Sequence, residues 1–428
     1  MVVTNFFRFF LPTEIEDLII MHYKTSEMAD WANLPKDLLT HIAQSLIYLD
    51  DFLCFGAVCK AWQSANVLEE KPSLPPRFPL LMLIENEENK SGNSKNYENM
   101  KTFGSNDVLE TQIYKIKLPR TSCKSCLGTK LGWLLTLSMD MEICLFHPFS
   151  RHQIQLPPCP SFDYLLRFGR LPFRYLSNPE PRDRFEIMSG IYIRKAALSS
   201  EPLKNTNNHE SNECVVMAVF SGAFTLAFAR PGDKAWTKVP MPQHLCLDVI
   251  YYKDQFHAIN SEGDLVVCDI GDQNLRTRVI AAGPKGNGNF PDKYLVESMG
   301  DLLLVARALT FWIPGSKMKK EDYKLPHWTS KLAVFKLEQN TQEGSIYRYR
   351  WVEVNDLGNV ALFLGSSSFS LPAPDIKGCY KTNCIYFTDD YDNKHCHDMG
   401  VFNLKDEVLE PCHLVPSYPL CSPPFWYI

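Results

Sequence analysis

The feature that most constrains this chain is a weak repeat of four short strand-like segments that starts at residue 111. Its first copy reads TQIYKIKL, GWLLTLS, EICLFHP and QIQLP, and its second GIYIRKAAL, ECVVMAVF, FTLAFAR and AWTKV. DVIYY, QFHAIN, DLVVCDI and RTRVIA form the third, and YLVES, DLLLVARA, KLAVFKL and RWVEV the fourth. ALFLG, NCIYFT, MGVFNL and EVLEPC make a fifth. Self-similarity of this kind marks architectures built by stacking one supersecondary unit on the next. Four strands per unit predict blades set radially, a layout that leaves only short, protected sheet edges. A β-sandwich would not need so many strands. The expected fold is therefore mainly β: a propeller of five or six four-stranded blades over residues 77–428, with 79–84 and 424–428 either closing the ring or adding to a sixth blade.

Upstream the period changes. In 31–66, Leu34-Pro35-Lys36-Asp37 places a proline in a first helical turn, where its missing N–H does no harm. Leu38, Leu39, Ile42 and Leu46 follow at three- and four-residue spacing and make one apolar face. Asp50 and Asp51 suit the start of a second short helix with Phe52, Leu53 and Phe55, and Val58, Cys59 and Trp62 continue into a third. Three short helices bury too little surface to stand alone, so the segment needs a partner. Residues 1–30 read as a flexible extension, 67–76, with KPSLPP, as a stiff linker, and the polar 85–106 as a mobile loop.

Composition narrows the function. The formal net charge is -5 and the pI about 6.1, which offers no broad phosphate-neutralising surface and argues against nucleic acid. Arg8 is the lone basic residue before Lys24, and Glu14, Glu16 and Asp17 lie between them, so 1–30 is not read as a signal or transit peptide. The fourteen cysteines are then expected to be mostly reduced small hydrophobes in a protein of the cytoplasm or nucleus. The uncharged, mostly apolar stretch 214–229 is too short to span a bilayer and is cut by Ser221-Gly222; two strands joined by a turn explain it, and no membrane partner is expected.

The segment WANLPKDLLTHIAQSLIYLDDFLCFGAVCKAWQSA resembles an F-box. That resemblance implies contact with a Skp-type adaptor, and through it a cullin, by Leu34, Pro35, Leu38, Ile42, Val58, Cys59 and Trp62. Gly56 and Gln63 stand where many F-boxes carry basic residues, which removes an ionic contribution and leaves the apolar one. The stretches CLFHPFSRHQIQLP, AFARPGDKAWTKV, DVIYYKDQFHAINSEGDLVVCDI, KYLVESMGDLLLVAR, DLGNVALFLGSSSFSL and NCIYFTDD…DMGVFNL are similar to plant F-box proteins with a KIB-type β-propeller. The resemblance implies a non-catalytic substrate receptor of a Skp–cullin–F-box ubiquitin ligase. Holding a target lysine near a charged conjugating enzyme makes transfer nearly intramolecular, so this chain needs no catalytic residue and no cofactor.

Other motifs receive plainer readings. Cys123-Lys124-Ser125-Cys126 has metal-ligand spacing but no second pair at zinc-finger distance, and His395-Cys396-His397 and Cys412-His413 do not complete it; loop and core cysteines are expected, with no metal. Arg230–Trp236 is similar to a glycosidase aspartate box but occurs once, so a turn with a blade-packing Trp236 is expected. Substrate protein is expected on the face that receives 156–189, 307–330 and 388–398, with Phe173, Arg174, Trp312, Tyr323 and Trp328 as aromatic and cationic anchors. The rival functions are a ligase-independent interaction propeller and a propeller-class hydrolase.

Overall fold

The computed structural model describes residues 34–45, 55, 58–62, 80–82, 123–138, 140–148, 151–159, 193–202, 214–220, 224–242, 245–271, 275–284, 290–311, 327–373, 380–390, 398–411 and 425–427. The expectations for 1–30, 67–76, 85–106 and 111–118 lie outside them. The chain divides into two compact units, Met1–Phe78 and Pro79–Tyr427.

In the first unit, α1 (Lys36–Ser45) starts after Leu34-Pro35, and the Leu39 N–H already donates to the Pro35 carbonyl at 3.1 Å. Asp37 lies in the first turn, where its charge favours the helix dipole. Residues 55 and 60–62 are also helical.

Among the described residues the second unit holds five sheets and a two-stranded pair. The pair is β1 (Leu80–Met82) with β23 (Phe425–Tyr427). Sheet one comprises β2 (Cys123–Gly128), β3 (Leu134–Ser138), β4 (Ile143–Phe146) and β5 (Gln153–Gln155). Sheet two comprises β6 (Ile193–Leu198), β7 (Val216–Phe220), β8 (Thr225–Ala229) and β9 (Thr237–Lys238). β10 (Cys246–Tyr252), β11 (Gln255–Asn260), β12 (Leu265–Ile270) and β13 (Leu275–Ala281) make sheet three. β14 (Asp292–Ser298), β15 (Asp301–Phe311), β16 (His327–Gln339) and β17 (Tyr349–Val354) make sheet four. Each of these four is an antiparallel meander in chain order, and their first strands lie beside one another. The result is a five-bladed β-propeller.

Sheet five departs from the expected four strands. β18 (Val360–Leu364) turns back into β19 (Phe369–Pro372), and β18 then pairs in parallel with β20 (Cys384–Phe387), which continues to β21 (Gly400–Asn403) and β22 (Val408–Pro411). The order is β19-β18-β20-β21-β22, and β19 lies next to β14. Apolar patterning marked the other four strands, whereas Phe369–Pro372 is short and follows three serines. A second correction concerns Cys123–Gly128, left outside the strands of the first copy: it is β2, and its Cys126 is a buried free cysteine, as expected of a core cysteine. Cysteine here behaves as a small core hydrophobe.

Blade packing explains the unbroken apolar runs. In β7, Val216, Ala218 and Phe220 join the core shared by sheets one and two, while Met217 and Val219 join that of sheets two and three. In β15, Leu302 and Leu304 face sheet three, and Leu303 and Val305 face sheet five. Side chains alternate across a strand, so a strand buried on both faces must be apolar at every position. The turn 230–236 serves the same packing. Arg230 N–H donates to Asp233 Oδ2 at 2.7 Å, Trp236 packs edge-on to Phe220 at 5.1 Å, and its Nε1–H donates to the Pro157 carbonyl of sheet one at 2.9 Å. No helix among the described residues is long and apolar enough to cross a membrane.

Candidate functional site

The F-box-like segment sorts its apolar residues into two sets. Leu34, Leu39, Ile42, Phe55 and Trp62 are buried, with the Phe55 and Trp62 rings 4.6 Å apart. Pro35 is exposed, Leu38 and Cys59 are half-buried, and Val58 is 46% exposed. Of the seven residues expected to meet the adaptor, then, Leu34, Ile42 and Trp62 face inward, while Pro35 and Val58 are open to a partner. Leu39 and Phe55 complete the inner set; helical spacing identifies Leu39, but nothing local distinguishes Phe55 from Phe52.

On the propeller, Phe173, Arg174, Trp312 and Tyr323 lie outside the described residues. Trp328 lies on β16, half-buried, opposite Thr310. Its neighbour Thr329 enters a buried polar cluster that the strand repeat does not mark.

Arg307 is the centre of that cluster and is fully buried. Its Nε–H donates to Thr329 Oγ1 at 2.8 Å, and one terminal nitrogen donates to Tyr294 OH and the Thr388 carbonyl, both at 3.0 Å. The other donates to the Asp398 carbonyl at 3.1 Å and to Asp398 Oδ2 at 2.8 Å. The Thr329 hydroxyl donates to Asp398 Oδ2 at 2.7 Å, and the Tyr294 hydroxyl to Asp390 Oδ1 at 2.8 Å. Lys195 of β6 reaches Asp390 Oδ2 at 3.2 Å and also donates to the Gly365 carbonyl. Beside it, Arg194 donates to Asp292 Oδ1 at 2.5 Å. The cluster thus ties sheets two, four and five together.

Its electrostatics follow from burial. Desolvation pushes the Asp390 carboxyl upward, but Lys195, Arg194 and Arg307 outweigh it and hold the group well below the usual carboxylate range. Desolvation disfavours charge on Arg307 too, yet Tyr294, Asp398 and Asp390 keep it protonated. Asp248 of β10 is pushed up by burial, against the pull of Lys195 and of the Leu295 and Val249 N–H groups that it accepts at 2.8 and 2.7 Å.

A backbone feature aims these residues. β2, β6 and β10 each slip register by one residue at their start, between Cys123 and Ser125, Ile193 and Lys195, and Cys246 and Asp248. Such bulges re-aim side chains at sheet rims. They let adjacent Arg194 and Lys195 both serve the cluster. From within β15, Arg307 bonds the Thr329 side chain near the start of β16 and the Thr388 and Asp398 carbonyls on either side of 391–397, so these elements share one clamp. The polar atoms of Arg307, Tyr294, Asp390 and Asp398 are spent on one another, which suits a brace better than acid–base chemistry. The sequence does carry a signal for it: an arginine inside LLLVARAL, on a strand buried on both faces, must be paired. Among the described residues no group of three or more His, Cys, Asp or Glu could hold a metal ion.

Residues 103–403 match the family model of the KIB1-4 β-propeller. The chain belongs to this family. The KIB-type propeller observed extends past that match on both sides, to β1 and to β22 and β23. Among similar proteins of Arabidopsis thaliana, F-box protein SKIP23 is 27% identical, covering 93% of this chain and 96% of its own. F-box protein At2g17036 is 26% identical, with 93% and 95% covered. Of solved structures, the β-propeller domain of Cps50 (Swd1) from Myceliophteria thermophila aligns at a TM-score of 0.32 with 10% identity, covering 72% of this chain and 83% of that one. The chain is thus a plant-type F-box protein in which a KIB-type propeller follows the F-box segment.

Proposed function

We propose that this chain is a non-catalytic substrate receptor of a Skp–cullin–F-box ubiquitin ligase, acting in the cytoplasm or nucleus. The observation that carries the reading is the coupling, in one chain, of an F-box segment with an outward apolar set to a KIB-type propeller, an order shared with relatives named as F-box proteins. Pro35 and Val58, with Leu38 and Cys59 beside them, meet the Skp-type adaptor, which in turn binds the cullin. Leu34, Ile42 and Trp62 hold that face in shape. The substrate protein sits on the propeller face bearing 156–189, 307–330 and 388–398, with Trp328 as an anchor and Phe173, Arg174, Trp312 and Tyr323 as its companions. The Arg307 clamp supports this assignment, because a rigid frame around Trp328 lowers the ordering cost of binding.

The test is co-purification with a Skp-type adaptor. Val58→Glu, at an exposed position, leaves the fold intact and cuts adaptor recovery about tenfold or more, since a charge replaces an apolar contact in a desolvated interface. Recovery equal to the parent chain, from a folded variant, would remove the ligase reading and leave the free-standing interaction propeller.

A further inference from the structure

We infer that the propeller end carrying the Arg307 clamp holds a second substrate anchor, a patch of Phe224, Leu245 and Phe290 that takes an apolar side chain bearing a hydrogen-bond donor. The inference rests on the substrate-receptor reading and extends it from Trp328 across sheets two, three and four. Arg194, Asp248 and Asp292 stand at or near the starts of β6, β10 and β14. Arg194 meets Asp292, and Asp248 accepts the Leu295 N–H, so these three starts share one end of the ring. Asp292 lies opposite Arg307, and Arg307 bonds Thr329 beside Trp328, so one charged layer underlies both anchors.

Phe224 directly precedes β8. Its φ is 48°, and it is the one aromatic among the described residues with a left-handed backbone. A bulky side chain is disfavoured there, and such strain collects at ligand-binding sites. The Cys246 N–H donates to the Phe224 carbonyl at 3.2 Å, which sets Leu245 beside it. The Phe224 ring packs outside its own sheet: with Phe290 it lies on the core shared by sheets three and four, and the Arg194 guanidinium sits 5.4 Å from its centroid. Both phenylalanines are half-buried, and Leu245 is 45% exposed. The Leu245 carbonyl accepts the Ser261 N–H at 2.9 Å, and Lys293 Nζ donates to the Ser261 and Phe290 carbonyls at 2.8 and 2.7 Å. The three apolar residues are thus joined in one frame.

One guanidinium away from the Phe224 ring, a carboxylate oxygen lacks a donor. Asp292 is buried; Arg194 holds its Oδ1, and its Oδ2 accepts no hydrogen bond among the described residues. A buried acceptor without a donor is destabilising, more so when charged, and an O–H or N–H from a ligand would relieve it. The oxygen therefore selects donors over acceptors, and the patch selects apolar groups. A tyrosine of the substrate joins the two, with its ring against Phe224, Leu245 and Phe290 and its hydroxyl donating to Asp292 Oδ2.

Ligand-observed NMR on the full chain tests this with p-cresol, the tyrosine side-chain analogue, and with its methyl ether, which keeps the ring and lacks the donor. p-Cresol is expected to bind about tenfold more tightly than the ether, because only the phenol can donate to Asp292 Oδ2. Phe224→Gly suits the left-handed backbone and removes the ring, so this variant should keep the parental circular dichroism spectrum and lose p-cresol binding. Leu245→Lys, at an exposed position, should weaken p-cresol binding about threefold or more through lost apolar contact. Equal binding of the two probes, or p-cresol binding unchanged in both variants, would overturn the proposal. No adaptor takes part, so failure here leaves adaptor recovery, and its loss in Val58→Glu, untouched. Leu245→Lys should also lower the amount of protein captured by a chain carrying Val58→Glu; an unchanged capture would overturn the assignment of the patch to substrate.

Discussion

Arg307 carries an unusual share of the structure for one side chain. It is buried, charged and bonded to five groups from β14, β16 and the segments flanking 391–397. Removing one partner of such a network leaves the others as uncompensated buried charge, so Arg307→Met should destabilise the propeller by about 3–5 kcal/mol in urea denaturation. Adding Asp398→Asn should recover part of that loss, because the orphaned carboxylate goes with it. Acid separates this clamp from a second buried group. Asp390, held below the usual carboxylate range chiefly by Lys195 against its desolvation, contributes stability that is complete above the unfolded pKa of about 3.9 and is lost as the pH falls towards its folded value. His147 acts earlier. Burial, aided by His152, lowers it from 6.5 to about 4, so the unfolded chain takes up a proton over that window and the folded one does not. Its stability is present above pH 6.5 and is lost as the pH falls towards 4. Scanning calorimetry should show Tm dropping between pH 7 and 5, with a smaller drop in His147→Gln; an unchanged drop would assign the effect to another group, such as His257, which burial also lowers.

At the scale of elements, the propeller is a set of meanders whose tight turns need left-handed backbone. β10 and β11 are joined by Lys253 and Asp254, with φ of 47° and 60°, and β14 and β15 by Met299 and Gly300, with φ of 51° and 82°. Two such residues in succession suit a primed hairpin turn, for which Asn-Gly is strongly preferred and a long side chain at the first position is disfavoured. Met299 is 79% exposed, so it gains little packing in return. Met299→Asn is expected to raise stability by about 1 kcal/mol, read as a higher Tm with an unchanged circular dichroism spectrum. Sheet five shows the opposite economy. Its parallel β18–β20 pair needs a crossover, and β19 fills that crossover while adding a strand beside β14.

For the whole molecule, the two units divide the proposed labour. The F-box segment presents Val58 and Pro35, and the propeller presents Trp328 beside the Arg307 clamp. If Trp328 anchors substrate, Trp328→Ala in a chain already carrying Val58→Glu should capture fewer proteins than Val58→Glu alone. Quantitative mass spectrometry of the two captures checks this, and identical captures from folded chains would place the substrate elsewhere. Adaptor binding should be untouched by Trp328→Ala on its own; its loss would mean that Trp328 supports the F-box instead.

Patterning alone determined much of this protein. Runs such as VMAVF and DLLLVARA, apolar at successive positions and punctuated by turn residues, demand strands buried on both faces, and their repetition leads to a propeller. Leu34-Pro35 and the stripe of Leu39 and Ile42 likewise specify a short amphipathic helix. These are local consequences of side-chain period. Other features depend on residues far apart in sequence. That Trp62 turns inward on Phe55 while Val58 stays outside depends on how short helices pack. That Arg307 meets Asp398 depends on β15 and β21 lying in adjacent blades, and that Phe425 rests on Gly128 depends on the ring closing there. Neither partner in such a pair carries a local mark of the other, because the contact exists only once the intervening chain has folded; that is why the repeat was legible and the clamp and the contacts of β23 were decided by the tertiary structure.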